Sequence, residues 1–108
     1  MKSYKRIKCR DGFTMSVQAS QNGYCSPRMN NALSYTEVEV GYPSMIEKLL
    51  LPYVEDAAKP LNSVYGWVPV EVVAKVIQSH GGMIDGELPR STGFVSVDPK
   101  YGIEKNEI

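Results

Sequence analysis

Apolar and polar residues alternate over residues 13–20, with apolar side chains at Phe13, Met15, Val17 and Ala19. This alternation is typical of a strand with one buried face. The preceding strand has its apolar residues at Ile7 and Cys9. A two-residue turn would put the two apolar sets on opposite faces, whereas a three-residue loop with Gly12 in the left-handed conformation pairs Cys9 with Phe13. The pattern therefore predicts an N-terminal hairpin with the three-residue loop.

This register gives the hairpin a polar face that carries Arg6 and Lys8. A third strand is predicted over residues 35–42, and its buried side is Thr36, Val38, Val40 and Tyr42. Glu37 and Glu39 then point to the other side. Three interpretations stay open for the basic residues: a solvated face, a floor for an anionic ligand, or cross-strand ion pairs with the two glutamates.

Two helices are predicted in the second half of the chain. Ser44 and Glu47 form a capping box before apolar residues at helical spacing, and Pro52 ends this first helix. A short strand over "VYGWV" precedes the second helix, which begins at Pro69 and runs to about His80, with Gly81 and Gly82 as its stop. Its apolar arc is wider than a surface helix needs, which indicates deep burial or a subunit contact.

The remaining residues are predicted as a loop over 81–93, a final strand "FVSV" over 94–97, and a polar tail from about residue 99. The element order is β-β-β-α-β-α-β. It predicts one α+β domain over residues 1–108, a small antiparallel or mixed sheet packed with two helices.

Composition narrows the function classes. Twelve basic and twelve acidic residues give no net charge, so nucleic acid is not expected as a partner, although the first ten residues form a local basic segment. The sequence contains no apolar run of membrane-spanning length and no signal peptide, so we expect the cytoplasm of the producing cell. Two cysteines without metal-ligand spacing predict free thiols and no metal or cofactor. For so small a domain, a homo-oligomer would help to bury apolar surface.

Catalysis has one candidate pair, Cys25 with His80. A thiolate needs a basic neighbour, and this histidine could supply it. His80, however, follows a predicted helix directly, where histidine commonly interacts with the free carbonyls and the helix dipole. A cysteine-dependent enzyme is therefore the third-ranked function, and a non-enzymatic protein is expected.

The loop "YCSPR" over residues 24–28 is the main candidate binding site. Pro27 restricts its neighbours, so the Ser26 hydroxyl and the Arg28 guanidinium lose little entropy on binding. Arginine matches phosphate or carboxylate, and Tyr24 offers a ring face for a base. The alternative is a rigid loop whose arginine caps a carbonyl or pairs with Glu55 or Asp56.

The segments "DGFTMSVQAS", "GYCSPR", "YTEVEVGYPS" and "VYGWVPVEVV" resemble a family of small proteins encoded by phages and prophages, over about residues 10–82. The resemblance implies a phage accessory protein that acts in the host cytoplasm. It favours counter-defence, as a nucleotide-signal sponge, as an anti-CRISPR-like inhibitor or as a modifier of a host enzyme.

The hypothesis is a non-enzymatic, homo-oligomeric protein that sequesters a small anionic nucleotide. Its ligand-binding residues are predicted to be Tyr24, Cys25, Ser26, Arg28, Arg6, Lys8 and Trp67. Trp67 also fits a core position, because it lies in a short strand between apolar neighbours. The second hypothesis is a protein–protein inhibitor, whose surface would include the same loop and the acidic pair Glu55 and Asp56.

Overall fold

The computed structural model describes residues 3–101, which form an antiparallel sheet with one α-helix and short 3₁₀ helices. The sheet order is β4-β3-β2-β1-β5. The strands are β1 (Ile7–Cys9), β2 (Thr14–Gln18), β3 (Glu37–Gly41), β4 (Val64–Pro69) and β5 (Met83–Asp85), and the α-helix is α1 (Val70–Ser79). The 3₁₀ helices are Leu51–Tyr53, Pro60–Asn62 and Thr92–Phe94. This arrangement confirms the α+β class. No helix among residues 3–101 has the length and apolar character of a membrane span.

The N-terminal hairpin has the predicted register. Ile7 pairs with Met15, and the Cys9 N–H donates to the carbonyl of Phe13 at 2.8 Å. Gly12 has φ of +96°, so the three-residue loop uses the left-handed conformation that glycine adopts without strain. All apolar members of the hairpin consequently lie on one face of the sheet.

Helix α1 covers that apolar face. Its buried residues are Val70, Val73, Ala74, Val76 and Ile77, so deep burial accounts for the wide apolar arc. Gly81 and Gly82 both have positive φ and end the helix as predicted. The core contains buried side chains from β1, β2, β3, β4 and α1, among them Val38 and Tyr65. Phe13, which precedes β2, also belongs to the core.

The helix predicted after Ser44 does not form as an α-helix. Ser44 pairs with β2: its N–H donates to the Thr14 carbonyl at 2.8 Å, and its hydroxyl accepts from the Thr14 N–H at 2.9 Å. Glu47 accepts from the Leu49 N–H through one oxygen and contacts His80 through the other. These tertiary bonds replace the capping box, and only the 3₁₀ helix Leu51–Tyr53 follows.

The C-terminal prediction is also wrong in two segments. The predicted loop after Gly82 contains β5, which pairs with β1 at the edge of the sheet. The predicted strand "FVSV" instead begins in the 3₁₀ helix Thr92–Phe94, whose N-cap Ser91 accepts from the Gly93 N–H. Residues 99–101 are helical, and most of the predicted polar tail lies outside the described residues.

Candidate functional site

The predicted site residues on the sheet lie in two separate groups. Arg6 and Lys8 lie on or beside β1, whereas Trp67 lies on β4, three strands away. At about 4.8 Å per strand this separation is roughly 14 Å. The structure therefore does not bring the basic strand together with the tryptophan.

The basic residues have local partners of their own. The Arg6 guanidinium donates to the Thr14 hydroxyl at 3.1 Å and to the Tyr42 carbonyl at 2.5 Å. Lys8 is exposed and lies opposite Thr14 on one side and Asp85 on the other. Both side chains thus belong to the β2–β1–β5 side of the sheet.

The glutamates of β3 hold the 24–28 loop, so the structure does not support cross-strand ion pairs with Arg6 and Lys8, one of the three interpretations left open. Strand β2 separates β3 from β1. The Ser26 hydroxyl donates to the Glu37 carboxylate at 2.8 Å, and the Tyr24 N–H donates to the Glu39 carboxylate at 3.0 Å. Ser26 therefore uses its hydroxyl proton inside the protein, and Tyr24 is fixed across β3.

Cys25 is part of the core, which corrects its predicted place among the ligand contacts. Only 1% of the residue is exposed. Its thiol donates to the Ser20 carbonyl at 3.2 Å. The predicted partner His80 binds two carboxylates instead, and the two side chains share no contact. The structure does not form the hypothetical Cys25–His80 pair.

Trp67 is exposed, so the alternative of a core position is wrong. The register between β3 and β4 shifts at this point, and Trp67 adopts φ of +49°. A bulky residue in the left-handed region is a conformational outlier that costs about 1–3 kcal/mol. The shift leaves 45% of Trp67 exposed. Its ring stacks on Tyr24 with centroids 4.9 Å apart, and the backbone N–H of Trp67 donates to the Tyr24 carbonyl at 2.9 Å.

A pocket of about 330 Å³ opens beside this stack, lined by Tyr24, Tyr53, Glu55, Gly66 and Trp67. Gly66 allows this close approach, because a Cβ here would lie 3.3 Å from the Tyr24 Cβ and the tyrosine would have to shift by a few tenths of an ångström. The 3₁₀ helix carries Tyr53 to the pocket, and the Glu55 N–H donates to the Val64 carbonyl on β4. Sequence reasoning missed Tyr53 as a site residue, because it assigned this segment to the end of an α-helix.

Arg28 lies at the edge of the same group. Its guanidinium carbon is 6.0 Å from the centroid of the Tyr24 ring, at the limit of a cation–π contact. Among the described residues, Arg28 has no ion pair with Glu55 or Asp56. The guanidinium is exposed and can accept an anion next to the aromatic pocket.

A second pocket, of about 390 Å³, lies near the C-terminal segment and has charged residues of both signs: Glu87, Arg90, Asp98 and Lys100. The Lys100 ammonium is 3.5 Å from the Asp98 carboxylate. The charges in this pocket compensate one another, and its lining includes one aromatic residue, Tyr4, whereas three aromatic residues line the first pocket.

His80 forms a cluster that the sequence did not predict. Its Nδ1 is 2.6 Å from the Asp11 carboxylate, its Nε2 is 2.8 Å from the Glu47 carboxylate, and its ring stacks on Phe13 at 4.1 Å. Burial lowers the pKa of His80, but the hydrogen bonds and charges of the two carboxylates outweigh it and raise that pKa above 6.5. Because carboxylates only accept hydrogen bonds, the cationic imidazole, in which both ring nitrogens donate, is the form that satisfies both contacts. The predicted role at the helix end is met by its backbone N–H, which caps α1.

Comparisons with family models, with curated proteins and with solved structures find no match.

Proposed function

We propose that this chain is a non-enzymatic binding protein that sequesters a small anionic nucleotide in the pocket formed by Tyr24, Tyr53 and Trp67. The base stacks on the exposed indole, and Arg28 pairs with a phosphate. The phage origin and the counter-defence role implied by the resemblance belong to the same proposal.

The observation that carries the proposal is the conformation of Trp67. A large aromatic residue is held with positive φ and nearly half exposed, although its neighbours Tyr65 and Val68 are fully buried. Neither the strain nor the exposure stabilises the fold. Strained backbone combined with an exposed aromatic ring is typical of a ligand site, and the ring face accepts any base.

The polar groups define how a nucleotide would lie. Glu55 lines the pocket and accepts hydrogen bonds, so it suits the N–H groups on the edge of a base. Arg28 lies on the Tyr24 side and suits the phosphate. A volume near 330 Å³ is at the lower end for ligand pockets, which fits one base with its sugar. Of the predicted binding residues, Arg6 and Lys8 contribute no direct contact here.

The test is calorimetric titration with cyclic mononucleotides, ADP-ribose and cyclic ADP-ribose, preceded by native mass spectrometry of protein incubated with extracts of defence-triggered cells. Trp67→Ala should weaken binding by about 10- to 100-fold, since stacking contributes roughly 1–3 kcal/mol per base.

The matched control is Ile84→Ala, a half-exposed apolar residue on β5. Arg28→Ala should also weaken binding, whereas Lys8→Ala should not. No bound nucleotide in any of these experiments, or full affinity in Trp67→Ala, would contradict the proposal.

The second candidate function is a protein–protein inhibitor. It is favoured by the exposure of Glu55 and Asp56 next to the pocket, which gives an aromatic and acidic surface on one side of the molecule. An inhibitor whose main contact lies elsewhere retains its effect after Arg28→Ala. A pull-down that captures one host enzyme, together with clean protein masses after the extract incubation, would favour this function over the sponge.

A further inference from the structure

The segment between β3 and the first 3₁₀ helix exposes an unusual amount of apolar surface. Five of its large apolar side chains are between 37% and 58% exposed. They are Tyr42, Met45, Ile46, Leu49 and Leu51. We call this surface the 42–51 patch.

The patch conflicts with the local sequence. Residues 44–51 have the capping box and the apolar spacing of an amphipathic helix, which normally buries its apolar side. In the folded chain, Ser44 pairs with β2, Glu47 binds His80, and only Leu50 among these residues enters the core. A segment that is held by specific bonds and still directs its apolar residues outward is typical of an interface.

We propose that the 42–51 patch is the surface on which a second copy of this chain docks. At about 200 Å² for each fully exposed side chain of this size, the five residues expose on the order of 470 Å². A specific interface of standard size buries about 800 Å² per partner, of which roughly 57% is apolar, or on the order of 460 Å². The patch therefore supplies about the apolar area that a stable dimer needs.

The charges of the patch favour self-association over a charged partner. Within residues 42–51 the ionisable side chains that charge the surface at neutral pH are Glu47 and Lys48, and Glu47 is already paired with His80. A nearly neutral apolar surface does not select an oppositely charged protein, but it complements its own copy across a two-fold axis.

The patch also adjoins the aromatic pocket, because Leu51 and Tyr53 belong to the same 3₁₀ helix. A second copy docked on Leu51 lies beside the pocket and shields it from solvent. The inference goes beyond nucleotide binding and stands without it, since it depends on exposed apolar area alone.

Sedimentation equilibrium of the full chain between about 1 and 200 µM tests the proposal. The wild type should show a dimer or a larger even-numbered assembly. Ile46→Asp should raise the dissociation constant by at least about 100-fold, because it buries an unpaired carboxylate in the interface. Two matched controls should keep the wild-type mass: Leu33→Asp, which is 82% exposed on another loop, and Ile84→Asp on the β5 edge.

Far-ultraviolet circular dichroism checks that each variant is folded. If Ile46→Asp fails to fold, hydrogen exchange of the wild type replaces it: the amides of residues 42–51 should gain protection as concentration rises. A single-chain mass throughout the range would overturn the proposal, even if a heterologous protein were later found on the patch. Dissociation by Ile84→Asp or Leu33→Asp with Ile46→Asp unaffected would overturn it as well.

Discussion

Two stacked aromatic pairs, Phe13–His80 beside the start of β2 and Tyr24–Trp67 at β4, differ in almost every other respect. The Phe13–His80 pair is closed: Phe13 is fully buried, and both ring nitrogens of the histidine have carboxylate partners. The Tyr24–Trp67 pair is open: the indole is exposed and its backbone is strained. The first pair uses its hydrogen-bonding capacity within the fold, whereas the second leaves a ring face and a pocket free for a ligand. The comparison assigns a stabilising role to the closed pair and leaves the open pair as the proposed binding site.

The largest expected effect is on stability, when one aromatic residue of each pair is replaced by alanine. Phe13→Ala should reduce the free energy of unfolding by about 3–5 kcal/mol, because it leaves a cavity under His80 in the core. Tyr24→Ala should cost only about 0.5–1.5 kcal/mol, the contribution of an aromatic pair beyond its burial. Urea unfolding monitored by circular dichroism measures both. Similar losses in the two variants would contradict the assignment.

The closed pair should make stability depend on pH. The raised pKa of His80 means that its contribution is fully present below its unfolded pKa, near 6.5, and is lost as pH rises through the folded value. The Phe13 N–H and His80 lower the pKa of Asp11, so its contribution is lost only as pH falls through that lowered value. Stability from this cluster should therefore be greatest between about pH 4 and 6.5.

His80→Gln removes the imidazolium and tests that dependence. It should lose more stability at pH 5.5 than at pH 9, because the charge-dependent contribution of the wild-type histidine is lost as pH rises through its raised pKa. Urea midpoints at the two pH values give the comparison, and Glu47→Gln is a second variant of the same cluster. Equal losses at both pH values would show that the cluster acts by packing alone.

The positive φ of Trp67 in the open pair predicts an unusual order of stability between the glycine and alanine variants. In an ordinary strand, glycine is less stable than alanine by roughly 0.5–1 kcal/mol. At position 67 the order should reverse, and Trp67→Gly should be about 1 kcal/mol more stable than Trp67→Ala, because φ is +49°. Both variants should lose ligand binding. Thermal unfolding of the pair checks the sign, and the usual order would mean that this segment relaxes to negative φ.

The smallest effect is expected at the cysteine beneath the open pair. Cys25→Ser preserves a donor to the Ser20 carbonyl and should change stability by less than about 1 kcal/mol. Both thiols should react with Ellman's reagent only after unfolding, since Cys25 is buried and burial raises the pKa of Cys9 to about 11. Rapid reaction of the native protein would return Cys25 to the list of functional candidates.

How far sequence alone predicts this molecule depends on whether each segment is determined locally. The hairpin and α1 were predicted with their register and stops, since alternation, Gly12 and the Gly81–Gly82 pair act within a few residues. Residues 44–51 were predicted wrongly, because bonds to β2 and to His80, distant in sequence, override a helical pattern.

The candidate site was only partly predictable for the same reason. Tyr24 and Arg28 were identified from residue chemistry, and they do lie beside the pocket. The exposure of Trp67 depends on a register shift between β3 and β4. The run of apolar residues around Trp67 contains no pattern that indicates such a shift. Tyr53 reaches the pocket through a 3₁₀ helix that replaced the predicted α-helix.

The pairing of β5 with β1 has a consequence for the order in which the chain can fold. These strands are separated by almost the whole described sequence, so their contact closes a large loop and is expected late in folding. During synthesis, β1 keeps an unpaired edge until Met83–Asp85 has left the ribosome. A ribosome that stalls before that point holds a nascent chain able to aggregate through β1, so complete translation itself protects this protein.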